Sequence, residues 1–70
     1  MEFTFTDHAK YRIIKRDLTE QEIIESLTHA DKTSKKHGKY YAQKNIGRGT
    51  IEIVYEKTES YIKVITVYWI

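Results

Sequence analysis

The chain has 70 residues, with 12 Lys and Arg against 10 Asp and Glu for a formal net charge of +2, and it contains no Cys. A chain this short forms one small domain, residues 1–70, with a thin core. Without Cys it has neither disulfides nor thiolate zinc sites. No apolar stretch is long enough to span a membrane as a helix, and the first residues do not resemble a secretory signal. Disulfide-rich and membrane classes are therefore excluded, and we expect a cytoplasmic protein.

The chain opens with the pattern of a short strand and a helix. Phe3 and Phe5 alternate with threonines, which predicts a strand of only a few residues. Thr6 is the expected N-cap of a first helix over residues 7 to 15 or 16, because a hydroxyl there satisfies a free backbone N–H and Asp7 suits the positive end of the helix dipole.

A second helix is predicted over residues 20–29. Thr19 and Glu22 form a capping box, and Leu18 precedes it as a hydrophobic staple. Apolar residues then follow at helical spacing, and they are Ile23, Ile24, Leu27 and Ala30. With only two residues between them, the two helices should form a hairpin.

The second half of the chain predicts a loop and an antiparallel meander. Residues 32–38 are polar, without periodicity, and end in a Gly, which is typical of a loop. Three strands follow, at residues 39–46, 50–57 and 61–70, and both separators are short enough for hairpins. The predicted fold is therefore α+β, with a short N-terminal strand and a two-helix hairpin packed on an antiparallel meander.

The predicted strands differ in how their apolar residues are distributed. The middle strand buries one face through Ile51, Ile53 and Tyr55. In the last strand both faces are apolar, with Ile62, Val64 and Tyr68 on one side and Ile65, Val67 and Trp69 on the other. The second set predicts either a strand covered on both faces or an outer patch that binds a partner protein or a second copy. A one-residue slip around the turn at 47–49 would exchange Tyr40 for Tyr41 in the core.

The first helix carries the strongest candidate for chemistry. His8, Arg12 and Arg16 are spaced by four, so they share one helix face. Imidazole moves protons near neutral pH and guanidinium holds phosphate bidentately, so this face favours a surface that binds and reacts with phosphate groups. Tyr68 is the expected source of a further proton donor or of a ring that stacks on a base. In the alternative interpretation, His8 hydrogen-bonds a neighbour and the two arginines pair with acidic residues of the second helix region, which are Asp17, Glu22 and Glu25.

A second cluster is basic and partly aromatic. Residues 32–51 contain no acid, and their candidate RNA-binding side chains are Lys35, Lys36, Lys39, Tyr41, Lys44 and Arg48. Cations interleaved with aromatic rings suit backbone contacts and base stacking on single-stranded nucleic acid. The alternative is a solvated hairpin whose lysines protect an edge strand from aggregation. No His pair has metal-ligand spacing with an acid, so we expect neither a metal nor another cofactor.

Several of these motifs together resemble a known group. They are His8-Ala9 followed by Arg12 and Arg16, the segment Leu18-Thr19-Glu20-Gln21-Glu22-Ile23, and the terminal segment Val64-Ile65-Thr66-Val67-Tyr68. This combination resembles small bacterial and archaeal domains of unknown function related to the RelE, ParE and BrnT toxins of toxin–antitoxin systems. The resemblance implies a RelE-like fold, an RNA partner, an antitoxin protein and metal-independent RNA cleavage. The alternative function is a non-enzymatic interaction module that associates through its last strand.

Overall fold

The computed structural model describes all of residues 1–70 and contains two helices and one five-stranded sheet. The elements are β1 (Glu2–Phe5), α1 (Asp7–Lys15), α2 (Glu20–Thr28), β2 (Lys32–Lys36), β3 (Lys39–Asn45), β4 (Thr50–Lys57) and β5 (Tyr61–Trp69). The sheet order is β1-β5-β4-β3-β2. β1 pairs with β5 in parallel, and all other pairs are antiparallel. The α+β expectation is confirmed, and neither helix has the length and apolar composition needed to cross a membrane.

Both helices begin at the predicted caps. The Thr6 hydroxyl accepts a hydrogen bond from the backbone N–H of Ala9 at 3.0 Å. Thr19 accepts from the N–H of Glu22 at 3.1 Å, and the Glu22 carboxylate accepts from the N–H of Thr19 at 3.0 Å. These bonds satisfy donors that the first helical turn leaves free.

The core lies between the helices and one face of the sheet. Its ten buried residues are Ala9, Ile13, Leu18, Ile23, Ala42, Ile51, Ile53, Tyr55, Val64 and Val67. Tyr40 pairs with Tyr55 across β3 and β4, and their rings stack at 5.4 Å between centroids. Tyr40 rather than Tyr41 therefore packs against the core, which fixes the register that the sequence left open.

The predicted loop over residues 32–38 is instead a hairpin. β2 pairs with β3 along its whole length, and the two strands are joined by His37 and Gly38. Both turn residues have positive φ, at 54° and 77°, as in the type I′ turn that suits a two-residue hairpin. All five β2 residues are exposed, so this strand lacks the apolar alternation that identifies a strand in a sequence.

The predicted apolar outer patch of Ile65, Val67 and Trp69 does not form. Val54 of β4 lies opposite Thr66 of β5, whereas the next residue, Tyr55, lies opposite Val64. Ile65, between Val64 and Thr66, is therefore an extra residue without a partner in β4. This β-bulge moves Val67 and Trp69 to the core side, where Val67 is completely buried. Val67 therefore cannot contribute to an outer patch, and association with a partner protein or a second copy stays a prediction.

Candidate functional site

The α1 helix lies beside a free stretch of the β5 edge. β1 pairs with β5 only as far as Phe5 opposite Val64, so the carbonyls of Ile65 and Val67 have no neighbouring strand. The Thr6 hydroxyl donates to the Ile65 carbonyl at 3.2 Å, and Arg16 Nε donates to the Val67 carbonyl at 3.2 Å. The start of α1 and the residue after it are thus fixed to this edge, which we call the β5 edge.

Arg12 and Arg16 are half-buried and make no ion pair. All salt bridges of the chain lie elsewhere, so no carboxylate is within 4.0 Å of Arg12 or Arg16. Arg12 Nε is also buried without any hydrogen-bond partner. The alternative interpretation, in which these arginines pair with acidic residues near α2, is therefore wrong. Glu22 pairs instead with Arg48 at 3.1 Å.

His8 occupies the first turn of α1 and is exposed. It lies one helical turn before Arg12, so the structure keeps the four-residue spacing that the sequence indicates. His8, Arg12 and Arg16 therefore form one continuous row, which we call the α1 stripe.

Tyr68 belongs to a different surface. Its side chain lies on the open face, which is the side of the sheet without helices, opposite Glu52 of β4. Its hydroxyl donates to Glu52 Oε2, while Gln43 Nε2 donates to Glu52 Oε1 at 2.9 Å. The hydrogen bond to Glu52, with burial second, raises the pKa of Tyr68 to about 12. Tyr68 thus keeps its proton bound toward Glu52, and its side chain does not join the α1 stripe.

The predicted RNA-binding cluster is dispersed. Lys39 pairs with Glu56 at 3.3 Å and Lys44 pairs with Asp31 at 3.3 Å. Alternation along β2 and β3 also separates the members by face. Lys35 and Lys44 are on the helix side, Lys36, Lys39 and Tyr41 are on the open face, and Arg48 is in the turn after β3. These six side chains therefore share no common surface.

Arg48 makes several contacts within the fold. Its Nη2 donates to the Asp17 carbonyl at 2.7 Å and to Glu22 Oε1 at 3.1 Å. Its guanidinium also lies over the Trp69 ring, 5.4 Å from the centroid. Arg48 connects the turn between β3 and β4 to the segment between the helices, to α2 and to the end of β5.

The matched family covers nearly the whole chain. Residues 5–69 match the family model described as "Domain of unknown function (DUF4258)". The chain belongs to the DUF4258 family. The match includes the whole α1 stripe and the β5 edge, so both features lie within the DUF4258 domain. The comparisons with curated proteins and with solved structures gave no match.

The DUF4258 domain also has an open cleft of about 390 Å³ between α2 and the end of β3. Its lining residues are Glu22, Glu25, Ser26, His29, Lys44, Asn45 and Ile46. Ion pairs already engage two of its charges, since Glu22 binds Arg48 and Lys44 binds Asp31. No group of three or more His, Asp or Glu residues is placed to hold a metal ion. The sequence did not reveal this cleft, because its walls come from segments about 20 residues apart.

Proposed function

We propose that this DUF4258 domain binds RNA, with a phosphate group held by Arg12 and Arg16 at the β5 edge. The observation that supports the proposal is the pair of half-buried guanidiniums with no carboxylate partner. The resemblance to RelE, ParE and BrnT toxins extends the proposal to a toxin-like domain controlled by an antitoxin protein.

The energetics of the arginines favour an anionic ligand. A buried donor without a partner, such as Arg12 Nε, costs about 1–3 kcal/mol. A phosphate does not reach this buried Nε, but its oxygens accept charge-assisted hydrogen bonds from the Nη groups of the same guanidinium, and these bonds offset the cost. Arg16 uses Nε on the Val67 carbonyl, which orients its fork and leaves the two Nη groups for a ligand.

The position of His8 extends the proposal to metal-independent cleavage. Neutral His8 accepts the proton of the ribose 2′-hydroxyl, the 2′-oxygen attacks phosphorus, and the bond to the 5′-oxygen breaks as solvent protonates that oxygen. Arg12 and Arg16 stabilise the charge that develops on the phosphorane oxygens. Tyr68 has no role in this scheme, because its hydroxyl donates to Glu52 on the open face.

The binding proposal is tested with two matched double variants of the same helix. Arg12→Gln with Arg16→Gln removes the stripe cations, whereas Lys10→Gln with Lys15→Gln removes two exposed cations of α1 and gives the same net charge. We expect the arginine variant to weaken binding to single-stranded RNA at least tenfold more than the lysine variant. Its salt dependence should also fall, with a slope of log K against log salt reduced by about 0.7 for each phosphate that the variant no longer neutralises.

Equal weakening by both variants would show that binding follows net charge alone and would contradict the proposal. Circular dichroism of each variant controls for folding.

Cleavage is tested separately in EDTA with the parent and a His8→Ala variant. We expect the parent to cut single-stranded RNA and the variant to bind it without cutting. If the parent binds RNA through Arg12 and Arg16 without cutting it, the cleavage step is wrong and the binding site stands.

A further inference from the structure

The sheet ends in a strand whose outer edge is free. β2 is the last strand in the order β1-β5-β4-β3-β2, and every residue of β2 is exposed. Its three lysines, Lys32, Lys35 and Lys36, take part in no ion pair. The β2 edge therefore combines unpaired backbone groups with unpaired positive charge.

The hairpin geometry identifies which backbone groups point outward. Because His37 and Gly38 form a two-residue turn, Lys36 and Lys39 are the closing hydrogen-bonded pair. In an antiparallel ladder such pairs alternate, so the backbone of Ser34 also bonds to β3. The N–H and C=O groups of Thr33 and Lys35 consequently face away from the sheet.

The lysines flank this edge on both sides. Lys35 lies on the helix side, with its ammonium 5.2 Å from the Tyr40 ring centroid. Lys32 and Lys36 lie on the open face, four residues apart. We infer that the β2 edge binds an extended acidic peptide segment of a partner protein as a sixth strand of the sheet.

Charge decides the occupant. A second copy pairing through its own β2 would set lysines against lysines, and like charges on adjacent strands are destabilising. Lysines on an edge strand also protect it from pairing with neutral strands, which leave the ammonium groups without a counter-charge. An acidic strand instead turns this repulsion into attraction while its main chain satisfies Thr33 and Lys35.

The register also predicts a sequence pattern for the bound segment. In the antiparallel orientation, the residues opposite Lys36 and Lys35 are consecutive, and the residue opposite Lys32 follows three positions later. The preferred segment is therefore acid-acid-x-x-acid. The acetylated peptide TVEEVTEVT has this pattern, and TVQQVTQVT is its neutral counterpart.

The charge component is tested by fluorescence anisotropy with labelled peptides. We expect TVEEVTEVT to bind the parent, and TVQQVTQVT to bind at least tenfold more weakly. Lys32→Gln with Lys36→Gln should weaken binding of the acidic peptide about fivefold to tenfold, because each exposed pair contributes modestly. The control Lys10→Gln with Lys15→Gln, which has the same net charge, should change binding less than twofold. Equal effects of the two variants would overturn the inference.

Strand pairing is tested without altering the protein. Two forms of TVEEVTEVT are N-methylated on alternate amides, so that only one form blocks the amides facing β2. We expect that form to lose binding at least tenfold and the other to retain it. If both methylated peptides still bind equally well, the edge is a general polyanion site and not a strand-pairing site. Displacement of the peptide by poly(U) RNA would then identify RNA as the ligand and overturn the inference. Arg12→Gln with Arg16→Gln should leave peptide binding unchanged, which separates this edge from the α1 stripe.

Discussion

Replacing Gly49 by Ala tests how closely the turn after β3 packs against the end of β5. A Cβ at position 49 would lie 2.9 Å from Cζ3 and 3.0 Å from Cε3 of Trp69, which is closer than van der Waals contact allows. The backbone φ of 144° also disfavours any side chain. The indole has little freedom to move away, because its Nε1 donates to the Arg16 carbonyl at 3.0 Å and Arg48 lies over the ring.

Gly47 provides the matched control for the cost of this substitution. Its φ of 92° imposes a similar backbone penalty, but a Cβ there would meet nothing within 4 Å. We expect Gly47→Ala to lower the free energy of unfolding by about 1 kcal/mol. Gly49→Ala adds the cost of overpacking, about 1–3 kcal/mol, for a total of about 2–4 kcal/mol. Each kcal/mol lowers the Tm of a domain of this size by about 4–8 °C.

Urea unfolding followed by tryptophan fluorescence measures both variants, because Trp69 is the only tryptophan of the chain. The difference between the two losses isolates the contact with the indole. Equal losses for Gly47→Ala and Gly49→Ala would refute the reasoning. Circular dichroism confirms that each variant starts from the folded state.

Two further predictions concern the surfaces around this core. The pKa of Tyr68, raised to about 12 by the hydrogen bond to Glu52 and then by burial, means that the folded state holds this proton to higher pH than the unfolded chain. The contribution of Tyr68 to the free energy of unfolding is therefore complete below about pH 10 and is lost between about pH 10 and 12. Glu52→Gln should shift the ultraviolet titration of Tyr68 back toward pH 10 and reduce this loss of stability at high pH. Arg48→Lys keeps the charge but removes the fork that binds the Asp17 carbonyl and Glu22, so we expect about 1 kcal/mol of destabilisation in urea, and a double-mutant cycle with Glu22→Gln should show coupling.

Local signals in the sequence predicted the helices well. Thr6 and Thr19 act on backbone groups three residues away, so their capping roles depend on little beyond the neighbouring sequence. The start of each helix follows from these caps. The apolar alternation of β4 likewise identified its buried face, because Ile51 and Ile53 are fully buried.

The two wrong predictions for the strands have specific physical causes. β2 has no buried face, so its residues carry no periodic signal, and the positive φ of His37 is uncommon for a residue other than Gly. In β5 the period-two pattern is interrupted by the extra residue Ile65, which reverses the faces of every residue after it. Counting alternate positions across the bulge therefore placed Val67 and Trp69 on the wrong side.

The same bulge explains why the candidate site was only partly predictable. Helical spacing alone places Arg12 and Arg16 on one face, and the structure keeps them there. Whether Tyr68 joins them depends on strand register, which β4 determines through its pairing with β5. The absence of a carboxylate beside the arginines is a tertiary property that no spacing in the sequence encodes.

The energetics of the two arginines differ in a way that bears on function. Arg16 contributes to the fold, because its Nε satisfies the Val67 carbonyl on an edge that β1 is too short to cover. Arg12 leaves Nε buried without a partner, and an unpaired buried donor costs stability in the free protein. The phosphate ligand that we propose would offset this cost through the Nη groups of Arg12, beside the Arg16 side chain that the Val67 carbonyl already holds in place.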